Sequence, residues 1–357
     1  MATMKFIDFF SGIGGFRLGM EMAGHECVGH CEIDQYADKS YRAIHNVKET
    51  EWYADDISRV KPGDVPEAEC YCFGFPCQAF SIAGNRRGFE DTRGTLFFEV
   101  MRIAKERQPQ YLFAENVKGL LNHEGGATFE TIIGTMAELG YCVEWQVLNS
   151  KDFGVPQNRE RLYIIGRFGK PSRRKVFPII GDNEKTDESV EAEIKDSLHQ
   201  VGQLYGTETE PNPQAGRVYS SEGISPCLDT CSGGNRMPKI AVAIAAIRGR
   251  SNGEWKDDEH FQVAELRHDG ITNAITTVQK DNLAVIWHPG EKEYVNIRRL
   301  TPKECFRLQG FPDKCFDRAA SCCSDSQLYK QAGNSVTVNV IYEIAKRLAE
   351  IKEVAEG

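Results

Sequence analysis

The sequence predicts an α/β fold built on a doubly wound, largely parallel sheet, with a second, smaller domain that is β-rich or irregular. Over residues 1–169, short apolar runs alternate with patterns that repeat every three to four residues, as expected of strands alternating with helices. Glycine-bearing or polar turns follow several of the apolar runs, which is typical of the carboxyl edge of a parallel sheet. From about residue 170 to 296 the chain is instead rich in Gly, Pro, Asn, Ser and Thr, with only short β-like runs.

The predicted elements can be placed along the chain in order. The strands are the apolar runs Lys5–Phe10, Cys27–Glu32, Cys70–Phe73, Tyr111–Ala114, Val143–Leu148 and Arg161–Gly166. Helical spacing runs from Phe16 to Ala23 and returns at Tyr36–His45, Leu96–Arg107 and Phe129–Leu139. Beyond Arg298 helices return, and Val336–Ile351 has the pattern of an amphipathic C-terminal helix.

The charge of the chain is concentrated in one stretch. The 357 residues carry 43 Lys and Arg against 52 Asp and Glu, a formal net charge of −9, which by itself argues against a polyanionic partner. Residues 182–210 hold nine acidic residues and two lysines, so they account for −7 of that charge and leave −2 for the remainder. Because blocks of like charge are usually solvated surface, we expect this stretch to face away from any nucleic acid.

Composition also bears on compartment and metal content. The chain has no run of about 18 apolar residues, the length that a membrane-spanning helix needs, and no signal-peptide pattern. Its 12 cysteines are therefore expected to be reduced thiols rather than a secreted disulfide framework. The spacings Cys70-x-Cys72, Cys227…Cys231 and Cys322-Cys323 do not combine into a zinc-binding pattern, so we expect no metal.

A glycine-rich turn follows the first predicted strand. Within Asp8–Phe16, glycines stand where a strand turns into a helix, and they let a ligand approach the backbone. Glu32 lies about 20 residues on, at the end of the next strand, where an acid accepts ribose hydroxyls. The spacing Gly-x-Gly-Gly departs from Gly-x-Gly-x-x-Gly and favours a smaller adenosine-containing cofactor, whose adenine Asp56 and Ile57 are placed to contact. The alternative is a plain tight turn.

Residues with catalytic chemistry end the later strands. Cys77, within Phe75-Pro76-Cys77-Gln78, follows a predicted strand at the edge where α/β sites lie, and a thiolate there is a nucleophile. Glu115 ends the following strand and would face Cys77 as a donor to the substrate. Arg159 and Arg161 alternate, so both can point toward one anionic or carbonyl group. The alternatives are a structural cysteine, a solvated acid and a surface salt-bridge cluster.

The order of these motifs closely resembles that of the bacterial and phage DNA cytosine-5 methyltransferases. The matching motifs are Asp-x-Phe-x-Gly-x-Gly-Gly, Glu32, Pro-Cys-Gln, Glu-Asn-Val, Gln-x-Arg-x-Arg, Arg299–Pro312 and Gln331–Val336. They cover residues 6 to about 169 and again 296 to 349, well over half of the chain. The resemblance implies a Rossmann-like, S-adenosylmethionine-dependent methyltransferase domain, residues 1–169 plus 334–357. It also implies a small domain, residues 170–333, in which residues 170–296 form a variable target-recognition region.

The resemblance also implies a mechanism and a set of site residues. A methyl group passes from S-adenosyl-L-methionine to C5 of a cytosine flipped out of double-stranded DNA, leaving S-adenosyl-L-homocysteine and needing no metal. Cys77 adds to C6, Glu115 protonates N3, Arg161 binds O2, and Arg159 completes the catalytic group. The implied cofactor residues are Phe10, Gly12, Gly14, Gly15, Glu32, Ile33, Asp56, Ile57, Pro76, Leu96, Asn334, Ser335 and Val336. The implied DNA contacts are Ser81, Arg86, Arg87 and Arg93 in a basic loop, and Gly233, Gly234, Arg236, Arg248 and Arg250 in the recognition region.

The absence of a targeting pattern or a membrane-spanning run fits a bacterial cytoplasm, the nucleoid or a phage-infected cell, with no membrane partner, and we expect a monomer. A cognate restriction endonuclease would act on the same site without being bound. Three other functions stay open: an RNA (tRNA) cytosine-5 methyltransferase, an inactive DNA-binding regulator and a nicotinamide-dependent oxidoreductase. The long middle segment and Ala79-Phe80-Ser81 favour DNA, and an intact Cys77 counts against the regulator. The oxidoreductase leaves Cys77 and Asn334 without a role.

Overall fold

A computed structural model of the chain describes residues 2–75, 96–169, 174–181 and 300–356, together with the backbone of seven short strands between residues 200 and 299. Its centre is a seven-stranded sheet with the order β3-β2-β1-β4-β5-β8-β6. The strands of the first half are β1 Lys5–Phe9, β2 Glu26–Cys31, β3 Trp52–Ala54, β4 Cys70–Gly74, β5 Tyr111–Val117, β6 Tyr141–Asn149, β7 Gln157–Asn158 and β8 Glu160–Phe168. Strand β8 runs antiparallel to both β5 and β6, and the other neighbours are parallel. The predicted doubly wound, largely parallel sheet is confirmed.

The sheet reverses its direction of growth between β1 and β4. The chain builds outward from β1 through β2 to β3, then returns to place β4 on the other side of β1. Phe9 at the end of β1 pairs with Phe73 near the end of β4. In open α/β sheets a crevice forms at such a reversal, outside the carboxyl ends of the strands. The first turn and the segment after β4 therefore open onto the same crevice.

Eight helices are described, and most match the sequence prediction to within a few residues. They are α1 Gly15–Met22, α2 Gln35–His45, α3 Leu96–Arg107, α4 Ala127–Glu138, α5 Pro302–Leu308, α6 Asp313–Ala320, α7 Asp325–Asn334 and α8 Val338–Glu356. Local sequence sets their starts: the Asp34 side chain accepts from the amides of Tyr36 and Ala37, and Thr301 forms a capping box with Glu304. None of the described helices is long and apolar enough to cross a bilayer.

Helices cover both faces of the sheet. Successive residues of β1 point to opposite faces, so Phe6 packs with α1 and α8, whereas Ile7 packs in the cluster that holds α3 and α4. Helix α8 thus returns from the far end of the chain to lie against α1. A third cluster joins helices α5 to α7 with Ile13 of the first turn and Ile44 of α2. The division of the chain at residues 333 and 334 into two domains stays a prediction.

The middle of the chain contributes the short strands β9 Gln200–Gln203, β10 Arg217–Ser220, β11 Ser225–Pro226, β12 Lys239–Ala241, β13 Ile247–Gly249, β14 Gln262–Ala264 and β15 Ile297–Arg299. Four of them form a sheet in the order β15-β12-β10-β9, and β13 pairs with β14. Strand β11 pairs with β7, which ties this region to the strand that precedes β8. Of the stretch 182–210, only β9 is described, and β9 contains none of its acidic residues. The expectation that this stretch faces away from nucleic acid therefore stays a prediction.

Candidate active site

Three strand ends bring a carboxylate and a guanidinium together at the crevice. Gly74 at the end of β4 pairs with Glu115 of β5, which in turn pairs with Tyr163 of β8. Glu115 is only 9% exposed. The Nε atom of Arg161, at the start of β8, lies 3.1 Å from Glu115 Oε1. A buried acid and a partly buried cation therefore lie side by side, next to the end of β4.

The surroundings of Glu115 push its pKa in two directions. Burial disfavours the charged carboxylate and raises the pKa, whereas the positive charges of Arg161 and Arg159 lower it. The effect of burial is larger than that of the two arginines, so the pKa of Glu115 lies above its ordinary value. A carboxyl group of this kind holds a proton more readily near neutral pH than an exposed glutamate does. It is thus able to donate that proton to a basic atom of a ligand.

Asn116 holds Phe75, the last described residue after β4, by a side-chain hydrogen bond. It is 3% exposed, and its Nδ2 donates to the carbonyl of Phe75 at 2.9 Å. Its Oδ1 accepts from the amide of Val117 at 2.8 Å, which holds the side-chain orientation. Cys77 follows Phe75 by two residues in the sequence. Asn116 therefore anchors the start of the segment that carries the cysteine.

The glycine-rich turn after β1 adopts a conformation that its sequence makes possible. Gly14 has a φ of +82°, and a Cβ there would lie 2.1 Å from His45 Nε2. A Cβ on Gly15 would lie 2.6 Å from Ser335 Oγ, so no larger residue fits at that position either. Phe10 also has a positive φ, 54°, which costs an ordinary L-residue about 1–2 kcal/mol. Such strain is concentrated at functional sites.

Glu32 at the end of β2 is held by the backbone of the same turn. Its Oε2 accepts from the amide of Gly12 at 2.7 Å, and its Oε1 accepts from the amide of Asp34 at 2.8 Å. Burial raises the pKa of this carboxyl group. Each oxygen has a further lone pair available to a hydroxyl donor. Ile33 beside it is 75% exposed, which is unusual for a large apolar side chain and leaves a face open for a flat apolar group.

The other predicted cofactor residues come from two parts of the chain, residues 334–336 at the end of α7 and just after it, and residues 56–96 before and at the start of α3. Ser335 and Val336, which follow α7, are each 6% exposed and lie against Gly15, so they complete the wall of the turn. Ile57 is 3% exposed within the apolar core, and Asp56 accepts from the Ser58 amide at 3.0 Å to cap a short helical turn. Leu96, the first residue of α3, packs partly buried on the same core cluster as Phe10. Asn334 is the last residue of α7.

The turn offers an unsatisfied hydrogen-bonding group, as expected of a site for a polar ligand. Within the described ranges, Ser11 Oγ is buried and has no hydrogen-bond partner. Buried polar atoms are usually paired, so an unpaired hydroxyl between Phe10 and Gly12 calls for a partner that binds there. Together with the Glu32 carboxylate and the exposed Ile33, the residues of this turn fit a nucleoside with a polar tail.

Two contacts at the site escaped the sequence prediction. The Nε2 atom of His45 lies 3.1 Å from the carbonyl oxygen of Ile13. Burial lowers the pKa of His45 to about 3, so the ring is neutral, and its N–H donates to that carbonyl and stabilises the turn. A lone histidine on a helix gives no sequence signal for that role. Asn116 stands in the Glu-Asn-Val motif, but nothing in the sequence shows that its amide reaches back to Phe75.

The matches to known proteins agree with this geometry. A family model of C-5 cytosine-specific DNA methylases matches residues 4–350. The chain belongs to this family. It is 34% identical to the orphan methyltransferase M.SPRI of Bacillus phage SPR, with 98% of each protein covered. It is 38% identical to the type II methyltransferase M.HpaII of Haemophilus parainfluenzae, with 97% of this chain and 89% of that protein covered. With M.HhaI of Haemophilus parahaemolyticus it shares 34%, over 97% and 94% of the two chains.

Solved structures show the same fold. The Entamoeba histolytica methyltransferase EhMeth superimposes with a TM-score of 0.61 at 17% identity, with 99% of both chains covered. The S. pombe Dnmt2 methyltransferase gives a TM-score of 0.61 at 16% identity, with 99% and 100% covered. At this level of identity the likeness concerns the fold alone, which is Rossmann-like as the motifs implied. Family membership makes the protein a DNA cytosine-5 methyltransferase, with S-adenosyl-L-methionine as the implied methyl donor and DNA as the implied substrate. It does not favour an oxidoreductase.

Several predicted residues of this methyltransferase lie outside the described residues: Pro76, Cys77, Ser81, Arg86, Arg87, Arg93, Gly233, Gly234, Arg236 and Arg250. Arg248 lies in β13, of which only the backbone is described. Their roles stay predictions. In the part of the chain that the structure describes, no group of three or more His, Cys, Asp or Glu side chains is arranged to hold a metal ion.

Proposed function

We propose that this methyltransferase activates a cytosine flipped out of double-stranded DNA by adding the Cys77 thiolate to C6, and that S-adenosyl-L-methionine bound at the glycine turn is the donor. The observation that carries the proposal is the pair formed by buried Glu115 and partly buried Arg161, whose Oε1 and Nε atoms lie 3.1 Å apart at the strand edge beside β4. Asn116 holds Phe75 at that edge, two residues before the cysteine. A nucleophile, an acid and a cation are thereby supplied to one crevice.

The chemistry of cytosine explains the need for a nucleophile. C5 of an intact pyrimidine is too poor in electrons to attack a methyl sulfonium. When the thiolate of Cys77 forms a bond to C6, the electrons of the C5–C6 double bond move toward N3, and C5 becomes enamine-like. After C5 has accepted a methyl group, its proton leaves to a base. The electrons of that C–H bond restore the C5–C6 double bond, and the C6–S bond breaks to release the thiolate. The proton on N3 returns to the Glu115 carboxylate, which regenerates the acid.

Glu115 and Arg161 stabilise the negative charge that develops on the cytosine ring when the thiolate adds. As C6 is attacked, N3 becomes more basic, and Glu115, whose pKa is raised by burial, donates its proton there. Arg161, 14% exposed at its side chain, hydrogen-bonds O2 of the base. Both interactions are stronger in the transition state than in the ground state, which is the condition for lowering the barrier. Arg161 also steadies Glu115 once that carboxyl group has lost its proton.

The cofactor is held by the residues of the glycine turn. Glu32 accepts the ribose hydroxyls with the lone pairs that the Gly12 and Asp34 amides leave available. Ile33 covers the adenine, and Ser335 with Val336 closes the wall beside Gly15. When bound, S-adenosyl-L-methionine supplies the electrophilic methyl group that C5 of the activated base accepts. Leu96 and Asn334 stand at helix ends near this pocket.

Double-stranded DNA is the proposed substrate, and the target base must leave the stack. C6 of a stacked cytosine is closed to a thiolate, so the base has to be flipped into the crevice. The basic residues Arg86, Arg87 and Arg93 follow Cys77 closely in the chain, and we propose that they hold the phosphates around the flipped base. That the enzyme acts as a monomer, and that a restriction endonuclease shares its target, stay predictions.

The test is methyl transfer from tritiated S-adenosyl-L-methionine to plasmid DNA and, in parallel, to total tRNA. We expect label in DNA with the wild type and none with Cys77→Ala, while DNA binding persists. Cys142→Ala is the matched control, because Cys142 lies half-buried on β6 and donates to the Gly169 carbonyl away from the crevice. Bisulfite sequencing of the plasmid identifies the modified base and its context. Unchanged turnover in Cys77→Ala, or label in tRNA alone, would overturn the proposal.

A further inference from the structure

Arg159 lies between the catalytic edge and the segment that follows α7. It is 3% exposed, and one of its terminal nitrogens donates to the carbonyls of Gly333 at 3.1 Å and Ser335 at 2.8 Å. At the C-terminal end of a helix the last carbonyls lack helical partners, and the helix dipole favours a cation. Arg159 therefore ties the end of α7 to the region between β7 and β8.

The backbone of Arg159 is held as firmly as its tip. Its amide donates to Asn149 Oδ1 at 3.0 Å, and its carbonyl accepts from the amide of Ser150 at 3.0 Å. Ser150 Oγ in turn lies 2.8 Å from Thr337 Oγ1, so the same loop also reaches the segment after α7. An arginine that is held at its backbone and at one terminal nitrogen has little freedom to turn toward a substrate atom.

Ser335, whose carbonyl Arg159 binds, packs in turn against Gly15 of the glycine turn. A Cβ on Gly15 would lie 2.6 Å from Ser335 Oγ and 2.9 Å from the Val336 carbonyl, so the segment packs directly on the turn. The position of this wall, formed by Ser335 and Val336, therefore bears directly on the conformation of the glycine turn. Because Arg159 holds the carbonyl of Ser335, it sets where that wall stands.

We propose that Arg159 is a positioning residue that holds residues 333–335 against the glycine turn and thereby sets the affinity for the cofactor, whereas Arg161 engages the base. This inference rests on the proposed function for the identity of the cofactor and the base. The charge of Arg159 also acts on Glu115, opposing the effect of burial on the pKa of that carboxyl group. One buried cation thus connects the cofactor wall with the catalytic carboxylate.

The experiment measures the dissociation constant of S-adenosyl-L-homocysteine by calorimetry, without DNA, for the wild type, Arg159→Lys and Arg159→Gln. We expect Arg159→Gln to weaken binding about tenfold, and Arg159→Lys, which keeps the charge and can reach one carbonyl, to weaken it less. In methylation assays KM for the cofactor should rise by the same factor as the dissociation constant in each variant, with the dissociation constant for DNA unchanged. Arg159→Gln removes a charge that lowers the pKa of Glu115, so its kcat profile should also shift toward higher pH, whereas Arg159→Lys keeps that charge.

Tyr141→Phe is the matched control. Tyr141, the first residue of β6, is 3% exposed, and its hydroxyl donates to the Pro109 carbonyl at 3.0 Å, so the variant likewise removes a buried hydrogen bond to a main-chain carbonyl. Its loss should lower stability without changing affinity for S-adenosyl-L-homocysteine. Arg161→Lys should lower kcat and likewise leave that affinity unchanged.

Two results would overturn the proposal. One is an Arg159→Gln variant that folds and binds S-adenosyl-L-homocysteine as the wild type does while its kcat falls, since Arg159 would then act on the base. The other is an equal loss of affinity in Tyr141→Phe, which would indicate that any lost buried hydrogen bond loosens the cofactor site. If Arg159→Gln does not fold, Arg159→Lys decides by the same criterion. A wild type that fails to methylate DNA, with the affinity losses as expected, would refute the proposed function and leave the positioning role supported.

Discussion

Neutral His45 beneath the glycine turn makes the stability of the fold depend on pH in a way that one substitution isolates. In the folded chain its Nε2 donates to the Ile13 carbonyl, and burial lowers the pKa of the imidazole to about 3, against about 6.5 when it is exposed. Between these two values the unfolded chain binds a proton that the folded chain does not. The free energy of unfolding therefore falls as pH decreases below about 6.5 and levels off near 3.

The size of the effect follows from the two pKa values. Each pH unit below about 6.5 costs about 1.4 kcal/mol, so complete burial would cost about 2 kcal/mol at about pH 5. Because part of His45 remains accessible to water, which stabilises the charged ring, we expect about 1–2 kcal/mol. In His45→Gln a side-chain amide can still donate to Ile13 but does not titrate.

The assay is equilibrium urea unfolding followed by tryptophan fluorescence at about pH 7 and about pH 5. The wild type should lose about 1–2 kcal/mol more than His45→Gln between the two conditions. His25 and His30, whose pKa values burial also lowers, contribute equally to both proteins and cancel in the comparison. Parallel losses in the two proteins would refute a neutral, buried His45.

Two further predictions separate cofactor binding from catalysis. Ile33→Ser should leave the melting temperature unchanged, because the side chain is 75% exposed, yet weaken binding of S-adenosyl-L-homocysteine about fivefold through the loss of about 1 kcal/mol of apolar cover. Met22→Ser, at a residue 52% exposed at the end of α1, is its control and should change neither quantity. Asn116→Ala frees the Phe75 carbonyl, so the single-turnover methylation rate should fall about tenfold or more while affinity for S-adenosyl-L-homocysteine stays constant. Equal cofactor affinity in Ile33→Ser and wild type, or a fall in affinity instead of rate in Asn116→Ala, would contradict these assignments.

Local sequence was sufficient to predict the four helices and six of the eight strands described in the first half, but not the short strands β3 and β7. Buried strands such as β1 and amphipathic helices such as α2 leave distinct periods in the sequence, and residues such as Asp34 mark where helices begin. The order of strands was less accessible. Insertion of β8 antiparallel between β5 and β6 depends on pairing between segments distant in sequence, which no local pattern encodes.

The candidate site shows the same limit. Alternation predicts that Arg159 and Arg161 share a face, and the charges of both do act on Glu115. It does not predict that Arg159 donates to carbonyls more than 170 residues away, at Gly333 and Ser335. Contacts of that kind appear only once α8 has packed against the sheet and α7 has packed beside α2.

The central claim is that Cys77 attacks C6 of cytosine, and 5-fluorocytosine in the target site tests it most directly. Fluorine replaces the C5 proton whose loss is needed to release the enzyme, so the methylated base should stay covalently attached. Incubation with S-adenosyl-L-methionine and duplex DNA carrying the analogue should yield a protein–DNA adduct that survives a denaturing gel, with the bond mapped to Cys77 by mass spectrometry. Cys77→Ala should yield no adduct, and Cys142→Ala should yield as much as the wild type. An active wild type that forms no adduct, or an adduct at another residue, would contradict the account.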